Sequence, residues 1–125
     1  MKKIITYGTF DMFHYGHLEL LRRAKELGDH LTVGVSTDTF NKIKGKSSFF
    51  NYEKRISWVS SIKYVDLVIP EENWDQKYKD IVKYDIDIFV MGSDWSGKFN
   101  NIGCECVYLE RTDGVSSTEL KSLLK

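Results

Sequence analysis

Apolar residues in this chain fall into short dense runs, separated by stretches in which they recur with a helical period. Lys3 to Tyr7 is rich in β-branched residues and closes on Gly8, which predicts a buried strand. Leu18, Leu20, Leu21, Ala24 and Leu27 mark one face of a helix from Leu18 to Leu27, with Gly28 as its C-terminal stop. Leu31 to Ser36 predicts a second strand. Asp38 to Asn51 has no clear period and carries Lys42, Lys44, Gly45 and Lys46, so it is expected to be a basic, mobile loop. Tyr52 to Ile62 follows as a helix, and Val65 to Ile69 as a strand ended by Pro70, the only proline. Asn73 with Gln76 has the form of a capping box for a helix running to about Tyr84. Ile86 to Met91 is a nearly continuous apolar strand ended by Gly92, and Cys104 to Leu109 a weaker one. Ser116 with Glu119 predicts a short final helix.

This order of elements predicts an α/β fold, with a mainly parallel five-stranded sheet covered by helices on both faces. That is a Rossmann-like three-layer α/β/α architecture forming one domain over residues 1–125. In such sheets ligands bind beyond the carboxyl ends of the strands. The loops after Tyr7, Ser36, Met91 and Leu109 are therefore expected to share one rim.

Composition narrows the function classes. The 18 basic and 18 acidic residues cancel, so the general positive field of a nucleic-acid binder is missing and no nucleic-acid partner is expected. No run approaches the ~18 apolar residues of a membrane span, and the apolar stretch after Met1 is too short for a signal peptide. A cytoplasmic protein without membrane insertion is expected. Cys104 and Cys106 are read as projecting to opposite faces of their strand, forming neither a disulfide nor a metal pair.

Candidate chemistry concentrates between the first strand and the first helix, in Gly8-Thr9-Phe10-Asp11-Met12-Phe13-His14-Tyr15-Gly16-His17. Histidines three apart at a helix start share a face, and a glycine between them allows close backbone approach. The helix N-terminus adds free amides and partial positive charge, so the segment suits a phosphate group. A metal site and a surface coincidence are the alternatives. His30 is the only other histidine, and no cysteine or acidic cluster lies nearby in sequence to complete a zinc shell.

The pattern Thr9-Phe-Asp-x-x-His-x-Gly-His17 resembles the signature of the cytidylyltransferase branch of the nucleotidyltransferase superfamily. Arg111-Thr112-Asp113-Gly114-Val115-Ser116-Ser117-Thr118 resembles the late Arg-Thr-x-Gly-x-Ser-Thr-Thr signature of the same branch. Tyr64-Val65-Asp66, Val68-Ile69-Pro70, Asn73-Trp74 and Val90-Met91-Gly92-x-Asp94-Trp95-x-Gly97-Lys98 are similar to segments of its short bacterial members that act on glycerol 3-phosphate. Two positions depart: Lys63 stands where those enzymes usually have arginine, and Ser117 replaces one of the paired threonines.

The resemblance implies transfer of a cytidylyl group from CTP to glycerol 3-phosphate, releasing diphosphate, with CDP-glycerol feeding teichoic acid or a related surface polymer. His14 and His17 are then expected at the α- and β-phosphates, with Lys44 and Lys46 closing over them and Arg111 gripping the outer phosphates. Thr9, Phe10, Asp11, Tyr15, Gly16 and the segment Thr112 to Thr118 would complete the nucleotide contacts, and Gly92, Asp94 and Trp95 would face the base. Lys44, Lys77, Arg55 and Lys63 are assigned to the acceptor. Six of these have another reading: Lys44 and Lys46 as an ordinary solvated lysine loop, Lys77 as an exposed helix face, Asp11 and Asp94 as loop caps, and Arg55 as a structural ion-pair residue. Magnesium is expected to ride on the triphosphate without a protein cage, and the similar enzymes are homodimers. Rival readings are adenylyl transfer, a phosphocholine, phosphoethanolamine or pentitol phosphate acceptor, and a catalytically silent nucleotide-binding module.

Overall fold

Strand β1 (Lys3–Gly8) lies in the middle of a sheet ordered β3-β2-β1-β4-β5, and its register pairs it in parallel with a strand on each side. This is a computed structural model, and it describes residues 1–110. The other strands are β2 (His30–Ser36), β3 (Leu67–Glu71), β4 (Ile88–Gly92) and β5 (Glu105–Leu109). Every pairing is parallel, so all five strands end on the same rim. The chain goes outward from β1 through β2 to β3, then returns across to β4. The strand order therefore reverses between β1 and β4, where an open crevice is left at the carboxyl ends.

Alternation along each strand sorts the core into two halves. Ile4, Leu31, Val33, Val35, Ile88 and Val90 face helices α1 (Tyr15–Glu26) and α3 (Tyr52–Ser60), meeting Leu21, Ala24 and Val59. Ile5, Tyr7, Ile69, Phe89 and Met91 face the other way, onto Ile81 of α4 (Gln76–Lys83) and onto Ile102 in the segment after β4. The sheet is thus covered on both sides, which is the expected three-layer α/β/α arrangement.

Several local expectations are corrected. The segment predicted as a loop from Asp38 begins with a helix, α2 (Asp38–Ile43), capped by Thr37 and buried through Phe40 and Asn41. Six residues are too few to show a helical period. Pro70 does not end β3 but lies within it, pairing with Val35; β3 is an edge strand, where a missing amide is tolerated. The Asn73–Gln76 capping box does not form, because the Gln76 side chain donates to Pro70 O and Asp80 Oδ2 and accepts from Glu72 N. Helix α1 starts at Tyr15 and ends in a right-handed cap at Leu27. Gly28 matters by proximity instead: a Cβ there would lie 2.8 Å from both Ile4 Cδ1 and Lys2 O. Cys104 and Cys106 pack against the same core cluster, as residues two apart along an extended chain must, and both are free thiols.

One close approach in the sheet positions the site. Tyr7 and Gly34 are register partners, and a Cβ on Gly34 would fall 2.3 Å from the Tyr7 ring. The ring packs closely against β2 only because no side chain is there. Gly34→Ala is expected to destabilise the protein by about 1–3 kcal/mol, read from the midpoint of urea unfolding. An unchanged midpoint would mean that the ring does not press on that strand.

Candidate active site

The loop from Thr9 to His14 leaves β1 in a conformation that few residues adopt. Phe10 and Met12 have φ values of 54° and 49°, each in the left-handed region and each costing on the order of 1–3 kcal/mol unless held from outside. The restraints are visible. The Phe10 ring packs so closely over Gly8 that a Cβ there would meet it at 2.9 Å, and it stands edge-on to His17 with centroids 5.5 Å apart. Arg55 donates to Thr9 O at 3.0 Å, and Asp11 accepts from Phe49 N and Phe50 N at 2.6 and 3.0 Å.

The two histidines cap helix α1 reciprocally. His14 Nδ1 accepts from Gly16 N at 3.0 Å, and His17 Nδ1 accepts from His14 N at 3.2 Å. An accepting nitrogen carries no proton, so in each neutral ring the proton sits on Nε2. The rings stack with centroids 3.9 Å apart, making a pair of pre-oriented Nε2–H donors. Burial pulls the His17 pKa from 6.5 down to about 3, with His14 adding to the drop and Asp11 partly opposing it. The Gly16 amide is therefore not a free phosphate donor, as the sequence suggested. Its glycine is explained by the cap itself: a Cβ would sit 2.9 Å from His14 Cε1.

Beside this loop, in the crevice where the strand order reverses, lies a pocket walled by Tyr7, Gly8, Thr9, Met91, Trp95 and Phe99. Lys44, Lys46, Glu71, Trp74 and Lys77 close its other side. Lys77 is 2% exposed, with Nζ held by Glu71 Oε2 at 2.5 Å and standing 4.8 Å from the Tyr7 ring centroid. Tyr7 in turn donates to Asp80 Oδ2 at 2.6 Å, and burial followed by that bond raises its hydroxyl pKa far above the usual range. Lys44 Nζ donates to Ser36 Oγ at 2.7 Å and lies 3.7 Å from Glu71 Oε1. Burial lowers its pKa to about 8; Glu71 opposes that, while Lys46, Lys77 and Arg55 add to it.

The candidate residues thus separate. His14, His17, Gly16 and Thr9 meet at the end of β1, with exposed Tyr15 opening α1. Lys44, Lys46, Lys77 and Trp95 join them across the crevice, with Gly92 and the exposed Asp94 on the same rim at the end of β4.

Three assignments are corrected. Arg55 is 0% exposed and its guanidinium is engaged by Phe50 O, Thr9 O, Ser36 O and Asp38, so it braces the site and does not reach a substrate. Asp11 is 4% exposed and off the pocket wall, tying down the Phe49–Phe50 backbone. Lys63 precedes β3 and is exposed at the opposite end of the sheet, 5.2 Å over the Tyr64 ring, so it cannot serve this pocket within one chain. Arg111, Thr112, Asp113, Gly114, Val115, Ser116, Ser117 and Thr118 lie outside the described residues.

Sequence reasoning missed Glu71, Ser36, Tyr7 and Asn41. Asn41 accepts from Thr9 Oγ1 at 3.1 Å and so links the motif loop to α2. Their signal was positional only: Tyr7, Ser36 and Glu71 all fall at carboxyl ends of strands. Among the described residues, no group of three or more His, Cys, Asp or Glu side chains is placed to hold a metal ion.

A reciprocal histidine cap beside a lysine-lined pocket, at the switch point of a parallel sheet, fits a nucleotidyl-transferring class of protein. Residues 5–123 match the cytidylyltransferase-like family model, and the chain belongs to that family. It is 56% identical over 126 residues to the glycerol-3-phosphate cytidylyltransferase of Staphylococcus aureus, covering 99% of this chain and 96% of that protein. Against the glycerol-3-phosphate cytidylyltransferase of Bacillus spizizenii it is 58% identical over 123 residues, covering 97% and 95%. The mouse ethanolamine-phosphate cytidylyltransferase is 37% identical over 90% of this chain, which spans 30% of that longer protein. Among solved structures, the lipopolysaccharide core biosynthesis protein from Thermoplasma volcanium superposes with a TM-score of 0.72 at 28% identity, covering 90% of this chain and 97% of that one.

The histidine geometry has a pH consequence. Because the folded His17 pKa is depressed, its ring protonates only as pH falls through about 3, while the unfolded chain takes up the proton near 6.5. Stability linked to this ring is present above about pH 6.5 and is lost on acidification below it. Nitrogen-15 NMR is expected to show the His17 ring as the neutral Nε2–H tautomer from about pH 7 down to about pH 4. A ring protonated at pH 6, or an Nδ1–H tautomer, would contradict the reciprocal cap.

Proposed function

We propose that the protein catalyses CTP plus glycerol 3-phosphate to CDP-glycerol plus diphosphate. The observation that carries this reading is the pairing of two subsites: neutral Nε2–H donors at the helix start that follows a strained loop, and buried lysines in an adjoining pocket. The high identity to glycerol-3-phosphate cytidylyltransferases over nearly the full chain supports the choice of acceptor. The ethanolamine-phosphate relative is more distant and much longer.

The chemistry follows from charge. A phosphomonoester oxygen of the acceptor is already ionised near neutral pH, so attack on the α-phosphorus of CTP requires no general base. The new P–O bond forms as the bond to the β-phosphate oxygen breaks, and diphosphate leaves with that electron pair. The obstacle is repulsion between anions and charge growing on the leaving group, which positioned donors relieve. Lys44 and Lys77 are set to neutralise the acceptor phosphate, and Lys46 reaches over the same pocket from the loop after α2. His14 and His17 donate through Nε2 to phosphate oxygens of the nucleotide. Magnesium would accompany the nucleotide as part of the substrate and would offset the charge of its phosphates. Arg111 and the Thr112–Thr118 segment are assigned to the outer phosphates, and Gly92, Asp94 and Trp95 to the base side. The reading includes a cytoplasmic homodimer whose product feeds teichoic acid or a related surface polymer. No helix among the described residues is long and apolar enough to cross a membrane.

Diphosphate release is expected with CTP and glycerol 3-phosphate in the presence of magnesium. It is not expected when ATP or UTP replaces CTP, or when ribitol 5-phosphate or phosphocholine replaces the acceptor. His14→Ala and His17→Ala should each lower kcat by about 10²–10³ while the protein still folds. Near-normal turnover in both variants would overturn the assigned role of the histidine cap. Release with a different acceptor would retain the mechanism and reassign the substrate.

A further inference from the structure

A carboxylate on the wall of an anion-binding pocket works against the pocket's purpose, and Glu71 is such a carboxylate. It ends β3, is 3% exposed, and faces the crevice with Lys44, Lys46 and Lys77. Its position is fixed by the sheet: Ser36 is its register partner on β2, and Ser36 Oγ donates to Glu71 Oε1 at 2.6 Å. The same hydroxyl accepts from Lys44 Nζ, so a chain runs from Lys44 through Ser36 to Glu71 and on to Lys77. The Ser36 carbonyl is held by Arg55 at 2.6 Å, which anchors this chain in the core.

The lysines account for the carboxylate. The side chains of Lys44 and Lys77 are only 8% and 3% exposed, and a buried ammonium without an anionic partner tends to shed its proton. Other charges make Lys44 worse placed still. Lys77 approaches it from α4, Arg55 from α3 and Lys46 from the loop after α2, all of like sign; its own helix offers the Phe40 ring at 4.8 Å. Glu71 is the one group of opposite sign that faces it among the described contacts. Three ammonium groups against one carboxylate also leave two net positive charges in the pocket, which matches a phosphomonoester dianion.

We propose that Glu71 is a positioning residue of the acceptor subsite: shared between Lys44 and Lys77, it holds both side chains in place and keeps the Lys44 ammonium charged before the acceptor phosphate arrives. This rests on the reading of the pocket as the glycerol 3-phosphate site. Binding of that phosphate then replaces part of what Glu71 supplies, and the pocket accepts the dianion without first having to take up a proton.

The consequence is a pH profile. Affinity for the acceptor holds while Lys44 is protonated and weakens as pH rises through its pKa, about 8. Calorimetric binding of glycerol 3-phosphate to the full chain, from about pH 6 to about pH 9, reads the break in affinity against pH. Glu71→Gln is expected to move that break down by about one pH unit or more, equivalent to roughly tenfold in the charged fraction. Glu71→Asp, which keeps the charge, should bring it part of the way back. Ser36→Ala removes only the hydroxyl between Lys44 and Glu71 and should shift the break by a smaller step; it decides the matter if Glu71→Gln does not fold. CTP binding to each variant serves as the control for folding. A break unmoved in the variants overturns the proposal, as does tighter binding by Glu71→Gln at every pH, which would make Glu71 only a competitor of phosphate. Failure of the unsubstituted protein to bind glycerol 3-phosphate while binding CTP overturns the acceptor reading itself, and is distinct from either result.

Discussion

The buried guanidinium of Arg55 is the constraint on which the site depends. It donates to the carbonyls of Thr9, Ser36 and Phe50 and to the carboxylate of Asp38, joining segments that the sheet alone would leave independent. Thr9 leads into the two residues with left-handed backbone that set the histidines in place. Ser36 carries the hydroxyl between Lys44 and Glu71. Phe50 follows an amide that Asp11 holds. A planar fork of donors suits this task where a single ammonium does not, since the carbonyls approach from different directions. Both halves of the site are thereby referred to one point in the core.

The halves use opposite electrostatics. The histidine pair is neutral, its tautomer fixed by backbone amides, and it supplies donors without needing a proton from solvent. The pocket beside it is cationic and moderated by one carboxylate. A reaction between two polyanions calls for both: charge where the acceptor must be drawn in, and oriented dipoles where charge shifts during transfer. Tyr7 ties the two together, because the strand that launches the histidine loop also lays its ring beneath Lys77.

Much of this was legible in the sequence. The alternation of apolar runs with amphipathic stretches implied a parallel sheet with helices on both faces, and the spacing of His14 and His17 at a helix start indicated phosphate chemistry. What escaped did so for physical reasons. Helix α2 is too short to show a period, and its cap at Thr37 gives no pattern that a turn would not share. Arg55 is assigned from sequence to the acceptor, with a structural ion-pair role as its other reading; the structure bears out the second, and Tyr52, Arg55 and Val59 recur with the spacing of an inward face. Gln76 fits a capping box but is used to hold the backbone around Pro70. Glu71 was invisible because its importance lies in three partners brought in from β2, the C-terminal cap of α2 and α4, at spacings that form no recognised motif.

The central claim is that this site directs a phosphate oxygen of the acceptor at the α-phosphorus of CTP. Glycerol 3-phosphate carrying oxygen-18 in its phosphate tests it most directly, with products separated and weighed by mass spectrometry. The account predicts that all of the label stays in CDP-glycerol, including its bridging oxygen, and that the diphosphate carries none. Label appearing in the diphosphate would mean that bonds break elsewhere, and would contradict the assignment of both subsites.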